Sequence, residues 1–219
     1  MTDAAMVLAQ IEHSGVIAII RADNSGGLLR AARALVQGGI RAVEFTLNTP
    51  DALTLIAEAR QSFGDDIVVG AGTALTAEDV RSAVKAGAEF IIMPGLDEDA
   101  VKTAKDLGVV IIPGALTPSE AMTAQKWGAD MIKIFPASLG GPGYMRSLLA
   151  PLPALKLVPT GGVSAANAGE YIRCGAAAVA VGGKMVSGEA IRDGEYHLIE
   201  AAAAQLISVV AAARMEQAV

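Results

Sequence analysis

Residues 109–112 read Val109-Val110-Ile111-Ile112, four apolar β-branched residues between Gly108 and Pro113. Such a run has no polar face to offer to water. A strand made from it is buried on both sides, as in a parallel sheet covered by helices. Similar short runs recur along the chain, at 16–21, 42–47, 67–71, 90–93, 131–135, 156–159 and 178–181. With 109–112 they make eight candidate strands, about 20–25 residues apart, each followed by a Gly or Pro break and a helical stretch. That is the rhythm of consecutive βα units.

The helices between the strands have readable ends. Thr76 with Asp79, Asp97 and Ser164 stand where N-caps or first-turn acids belong. Gly39, Gly64, Gly87, Gly108, Gly128 and Gly175 stand where helices stop. Residues 3–13 read as an extra helix before the first strand, and no linker or composition shift divides 1–219. The expected fold is α/β: one domain, a single (β/α)8 TIM barrel with an added N-terminal helix. A doubly wound open sheet competes, but no G-x-G-x-x-G follows the first strand.

Composition narrows the function. Of 219 residues, 53% are hydrophobic and 18% charged, enough apolar material for a large core. A net charge of −6 leaves no electrostatic footprint for nucleic acid. A small anionic substrate would need a local cluster of donors. One cysteine, Cys174, excludes an internal disulfide and fits a reducing cytoplasm. It reads as a small packed hydrophobe, since no histidine lies nearby in sequence. The start, Met1-Thr2-Asp3-Ala4-Ala5, is not basic and does not read as a signal peptide. The Ala-rich run 201–213 contains Gln205 and Ser208 and reads as a helix with one buried face, so no membrane partner is expected.

Polar residues in apolar frames point to the chemistry. In Met131-Ile132-Lys133-Ile134-Phe135, alternation sets Met131, Lys133 and Phe135 on one face and the two isoleucines on the other. The isoleucines belong under helices, so Lys133 points inward. A desolvated ammonium loses its proton more easily, and a neutral amine condenses with ketones. In Ala42-Val43-Glu44-Phe45-Thr46-Leu47-Asn48, the same argument sends Glu44, Thr46 and Asn48 inward. An interior Glu44 is either an ion-pair partner of Lys133 or a proton shuttle.

Arg21 ends the first strand, where a guanidinium can clamp a carboxylate or form a surface ion pair. Thr73, in Gly70-Ala71-Gly72-Thr73, suits a pocket wall or a tight turn. Thr160-Gly161-Gly162 follows the seventh strand and opens a helix, and Gly182-Gly183-Lys184 follows the eighth. Barrels hold phosphate on the loops after these two strands. His13 and His197, the two histidines, lie in the first and last helical stretches, so neither a metal nor any other cofactor is expected.

These stretches carry a resemblance. Val43-Glu44-Phe45-Thr46-Leu47, Gly70-Ala71-Gly72-Thr73, Pro94-Gly95, Ile112-Pro113-Gly114, Lys133-Ile134-Phe135-Pro136-Ala137 and Pro159-Thr160-Gly161-Gly162-Val163 run in order. Together the chain resembles the 2-keto-3-deoxy-6-phosphogluconate (KDPG) and 4-hydroxy-2-oxoglutarate (KHG) aldolases, a class I family. The resemblance implies a homotrimeric barrel splitting a phosphorylated 2-keto acid into pyruvate and glyceraldehyde 3-phosphate. It implies Lys133 as the Schiff-base amine and Glu44 as the proton mover. Thr73 would lie at the pyruvyl carboxylate, with Phe135 and Pro94 shaping the pocket. Gly161, Gly162, Gly182 and Gly183 would hold phosphate.

Two positions depart from the family pattern. Asn48 stands where many members have a carboxylate-binding Arg, so Arg21 is expected to replace it. Lys184 stands where Ser often follows the last Gly-Gly. Asn48-Thr49-Pro50 and Gly141-Pro142-Gly143-Tyr144 are similar to the 6-phosphogalactonate branch, whereas Thr160 matches the phosphogluconate branch. Two other classes share parts of the pattern. A sugar-phosphate isomerase or epimerase barrel would use the Gly-Gly loops and a carboxylate base without covalent chemistry. A non-catalytic scaffold would leave an interior lysine without purpose, at a cost of several kcal/mol.

Overall fold

The computed structural model describes residues 3–217. Met1 and Thr2 of the N-terminal stretch lie outside the described residues. Helix α1 (Ala4–Ser14) precedes β1 (Val16–Ile20), followed by α2 (Leu28–Gln37), β2 (Ala42–Thr46), α3 (Ala52–Phe63) and β3 (Val68–Gly72). Then come α4 (Ala77–Lys85), β4 (Phe90–Ile92), α5 (Glu98–Asp106), β5 (Val110–Ile112), β6 (Gly114–Ala115) and α6 (Pro118–Lys126). The chain closes with β7 (Ile132–Ile134), α7 (Gly141–Leu149), β8 (Leu157–Pro159), α8 (Ala168–Arg173), β9 (Val179–Val181), α9 (Gly188–Asp193) and α10 (Tyr196–Gln217).

All eight expected strand regions are present, and every pairing is parallel. The ladder is not one uninterrupted circuit. One sheet runs β5-β4-β3-β2-β1-β9 and the other β6-β7-β8. The fifth strand is split at Pro113, which has no N–H to give to the β7 side that its own carbonyl faces. Its carbonyl still accepts from the Lys133 N–H on β7. Between β8 and β9, regular pairing shrinks to a single bridge, Thr160 with Ala180. The fold is therefore an α/β fold built on a curled parallel sheet.

Strand alternation sorts the core into two clusters. Val16, Ala18, Val43, Phe45, Val69, Ile91, Ile111, Ile132 and Ile134 pack outward under the helices. Ile17, Ile19, Ala42, Val68, Phe90, Val110, Met131 and Val158 form an inner cluster. Val7 and Ile11 of α1 join that inner cluster, so α1 covers the sheet's interior at one end. Burying two such side chains stabilises by about 1.5–3 kcal/mol each. Arg214 of α10 fastens the arrangement by donating to the carbonyls of Glu12, His13 and Ala177.

Most of the sequence's helix signals hold. Thr76 with Asp79 forms a capping box, and Asp97 caps α5. The six stop glycines all have positive φ. Ser164 is an exception. Its N–H donates to Asn167 Oδ1, a turn follows, and α8 begins only at Ala168. Long, apolar α10, with a mean hydropathy of 1.5 over its best window, meets the length and composition of a membrane span. Its Ile199, Ala203, Leu206, Val210 and Ala213 edge is nonetheless buried, with the helix packed on α2 and α8.

Replacing Ile11 by Ala should lower the unfolding free energy by about 2–5 kcal/mol through the cavity it leaves. A shift of the denaturant midpoint at constant m would show this. A wild-type midpoint would mean that α1 is not part of the core.

Candidate active site

β7 pairs with β6 on one side and β8 on the other, setting Lys133 opposite Gly114 and Val158. Ile132 and Ile134 turn outward, so Lys133 is directed inward and is only 3% exposed. Its Nζ lies 4.9 Å from the centroid of the Phe135 ring, which shares its strand face. Both line a pocket of about 190 Å³ with Ile19, Arg21, Thr160, Gly161, Gly162, Val163, Ala180, Gly182, Gly183 and Lys184. Nine residues singled out from the sequence thus meet at one cavity; Ile19, Val163 and Ala180 complete its wall.

Glu44 lies on the inner face of β2 and is fully buried. Among the described residues, neither of its carboxylate oxygens has a hydrogen-bond partner. No ion pair joins it to Lys133, so the two act on each other through space. Burial pushes the Glu44 carboxyl above its ordinary 4.5, and the positive charges of Lys133 and Arg21 pull against that rise. Burial pushes Lys133 below its ordinary 10.5; Glu44 opposes the shift and Arg21 adds to it. Each group is driven toward its uncharged form. The result is an amine that can attack a carbonyl, near an acid that can give or take a proton.

The mouth is cationic. Arg21 Nη2 donates to Thr73 Oγ1 at 3.2 Å, and Thr73 has φ +60°, an unusual conformation for a β-branched residue. Two buried threonines hold the backbone on either side of Arg21. Thr49 Oγ1 accepts from the Ala22 N–H at 3.3 Å, and Thr46 Oγ1 donates to the Ile20 carbonyl at 3.4 Å. The two hydroxyls meet at 3.0 Å. On the far side, the N–H groups of Gly161, Gly162, Gly183 and Lys184 have no protein acceptor among the described residues. They are free to bind an anion.

Other expected residues sit elsewhere. Thr73 meets the site through Arg21, not as a pocket wall. Pro94 is half-buried behind Gly114, where a Cβ would fall 2.3 Å from the Pro94 carbonyl oxygen. Asn48 is exposed in the turn after β2 instead of facing inward. The Gly161-Gly162 loop does not open a helix directly, because a turn separates it from α8. Cys174 is buried at the end of α8, where Arg146 donates to its sulfur at 3.2 Å. His13 and His197 are exposed, and no metal-holding cluster exists among the described residues.

Sequence reasoning missed the bracketing role of Thr49. Thr49 lies past the strand, in a turn, where alternation says nothing.

A curled parallel sheet carrying an interior amine, a buried acid and loops with free N–H groups fits an aldolase-type lyase. The model of the KDPG and KHG aldolase family matches residues 7–202. A 2-dehydro-3-deoxy-phosphogluconate aldolase of Treponema pallidum is 35% identical over 93% of this chain and 97% of its own. A 2-dehydro-3-deoxy-6-phosphogalactonate aldolase of Escherichia coli is 34% identical over 76% of this chain and 82% of its own. In structure, the chain matches KDPG aldolase from Legionella pneumophila with pyruvate captured as a covalent carbinolamine. The TM-score is 0.83 and the identity 32%, over 94% of this chain and 98% of that one. The chain belongs to the KDPG and KHG aldolase family. It is an enzyme of the lyase class.

Since Glu44 holds up the Lys133 pKa, Glu44→Gln should lower that pKa further. Borohydride trapping of pyruvate on Lys133 would then persist to lower pH than in the wild type. An acid limb that stays in place or moves to higher pH would refute the coupling.

Proposed function

We propose that the enzyme cleaves 2-dehydro-3-deoxy-6-phosphogluconate to pyruvate and glyceraldehyde 3-phosphate through a Schiff base on Lys133. The observation that carries this reading is the 3% exposure of an inward lysine at the wall of the pocket. The neutral Nζ adds to the C2 carbonyl, and the carbinolamine loses water to give an iminium. The C3–C4 bond then breaks. Its electron pair passes into the iminium to leave an enamine, while the C4 hydroxyl gives up its proton and becomes the aldehyde. Protonation at C3 and hydrolysis release pyruvate and restore the amine. Glu44 moves the protons in this scheme. No metal is needed, because the iminium is the electron sink.

Arg21, oriented by Thr73, takes the substrate carboxylate in the place that Asn48 leaves. Phe135 lies over the pyruvyl group, with Pro94 backing β6. Thr160, the N–H groups of Gly161, Gly162, Gly182 and Gly183, and the charge of Lys184 hold the phosphate. The family match over 7–202 supports one domain across 1–219. The split at Pro113 and the Thr160–Ala180 bridge are the seams at which we close the two sheets into one (β/α)8 barrel. The family resemblance supports a homotrimer, and a single unpaired cysteine supports the cytoplasm.

One alternative substrate has its own support. Asn48-Thr49-Pro50 and Gly141-Pro142-Gly143-Tyr144, with the phosphogalactonate relative, favour the galactonate epimer at C4. Cleavage of 4-hydroxy-2-oxoglutarate is a third option, open to relatives with the KHG/KDPG name.

Borohydride with pyruvate should add an irreversible mass at Lys133, and Lys133→Ala should abolish both adduct and cleavage. Turnover surviving in Lys133→Arg would point back to non-covalent isomerase chemistry. In a pyruvate-release assay, the gluconate phosphate should outperform the galactonate phosphate in kcat/KM; the reverse order would reassign the substrate. The rate should rise with pH through a value below 10.5, because burial holds Lys133 down. An acid limb near that ordinary value would remove desolvation as the activating cause.

A further inference from the structure

The inner face of β3 carries Val68, Gly70 and Gly72, and both glycines are occupied by neighbours. A Cβ at Gly70 would lie 2.3 Å from the Phe90 ring. A Cβ at Gly72 would lie 1.6 Å from Glu44 Oε1, 2.2 Å from its Cδ and 2.6 Å from its Cγ. The Glu44 carboxyl therefore rests directly over the Gly72 backbone. Gly72 does not have a positive φ, so its backbone would accept an L side chain. The three atoms nearest to such a Cβ all belong to Glu44.

What fixes the Glu44 carboxyl is then a question of shape. Neither of its oxygens accepts a hydrogen bond among the described residues. With no hydrogen bond to hold it, such a carboxyl takes its place from the walls around it and from the charges of Lys133 and Arg21. β2 and β3 are locked in register, with Glu44 opposite Gly70 and Thr46 opposite Gly72, so the strands cannot slide to make room. A methyl group at residue 72 would have to swing the carboxyl away. The neighbouring inner positions, Ala42 and Val68, are filled and buried.

We propose that Gly72 is a positioning residue, whose missing side chain sets where the Glu44 carboxyl stands and hence where protons are delivered. This rests on the reading that Glu44 moves protons in the cleavage. Gly72 touches no substrate in that picture. Its contribution should appear in kcat for cleavage, and not in how the mouth binds a carboxylate.

The test is a cycle of Gly72→Ala and Glu44→Asp, whose shorter side chain draws the carboxyl back from residue 72. Cleavage of the gluconate phosphate gives kcat and KM, and borohydride trapping gives half-saturation by pyruvate. In the Glu44 background, Gly72→Ala should lower kcat about 100-fold. KM and pyruvate half-saturation should hold within about two-fold, since Arg21 is untouched. In the Glu44→Asp background, the same substitution should change kcat little. Equal losses in both backgrounds would make Gly72 a merely structural glycine and overturn the proposal. If Gly72→Ala does not fold while the double variant does, the clash with Glu44 is demonstrated directly. If neither folds, residue 72 serves the sheet and the proposal fails. Glu44→Gln separates the two layers of the argument. Full turnover in it would remove the proton role and the inference together. An inactive Glu44→Gln with a fully active Gly72→Ala would overturn the inference alone.

Discussion

The site depends on keeping water away from two ionisable groups at once. In solvent, Lys133 would be a cation and Glu44 an anion, and the amine would not react with a ketone. Inside the curled sheet each is pushed toward neutrality, while their mutual attraction limits how far either shift goes. Arg21 biases the balance by disfavouring a second cation and favouring an anion. The geometry avoids the close ion pair that would have quenched both groups. It thereby forgoes a salt bridge between them, in the way functional sites carry unfavourable local arrangements within a well-packed frame.

That frame is legible in the chain because strands buried on both faces have a simple grammar. Val109-Val110-Ile111-Ile112 could only be a buried strand, and the eight runs fell where strands are found, within a residue or two at each end. Alternation also placed Lys133 and Glu44 correctly, since an ionisable residue flanked by apolar ones on a buried strand has one way to face. What alternation cannot see is the handover from one neighbour to the next. Pro113 has no N–H for the β7 side, yet its carbonyl accepts from Lys133 there, and the sequence shows only a proline after a strand. The turn after Gly162 was hidden for a related reason. Ser164 looked like a helix cap, but Asn167 takes the Ser164 N–H and delays the helix.

At the site, legibility followed the strands and stopped at their ends. Lys133, Phe135, Arg21 and the two Gly-Gly loops come together at one pocket because each sits on or just past a strand whose direction was known. Asn48 was sent inward by the same rule, yet the strand ends at Thr46 and the turn carries Asn48 to the surface. Thr49, three residues past the strand's end, is instead the buried one. Small residues were misread in a different way. Gly72 looked like part of a turn, although it lies within β3 and is small because another strand's side chain fills its place.

Arg214 ties the last helix to the carbonyls of Glu12, His13 and Ala177, on the face that α1 covers and opposite the pocket. Both described ends of the chain are thus anchored at the blind side of the molecule. Among the described residues, neither α1 nor the Arg214 end of α10 lines the entrance. A surface, a reporter or another enzyme attached through the exposed faces of α1 or the Arg214 end of α10 would leave the mouth facing outward, with substrate traffic unobstructed.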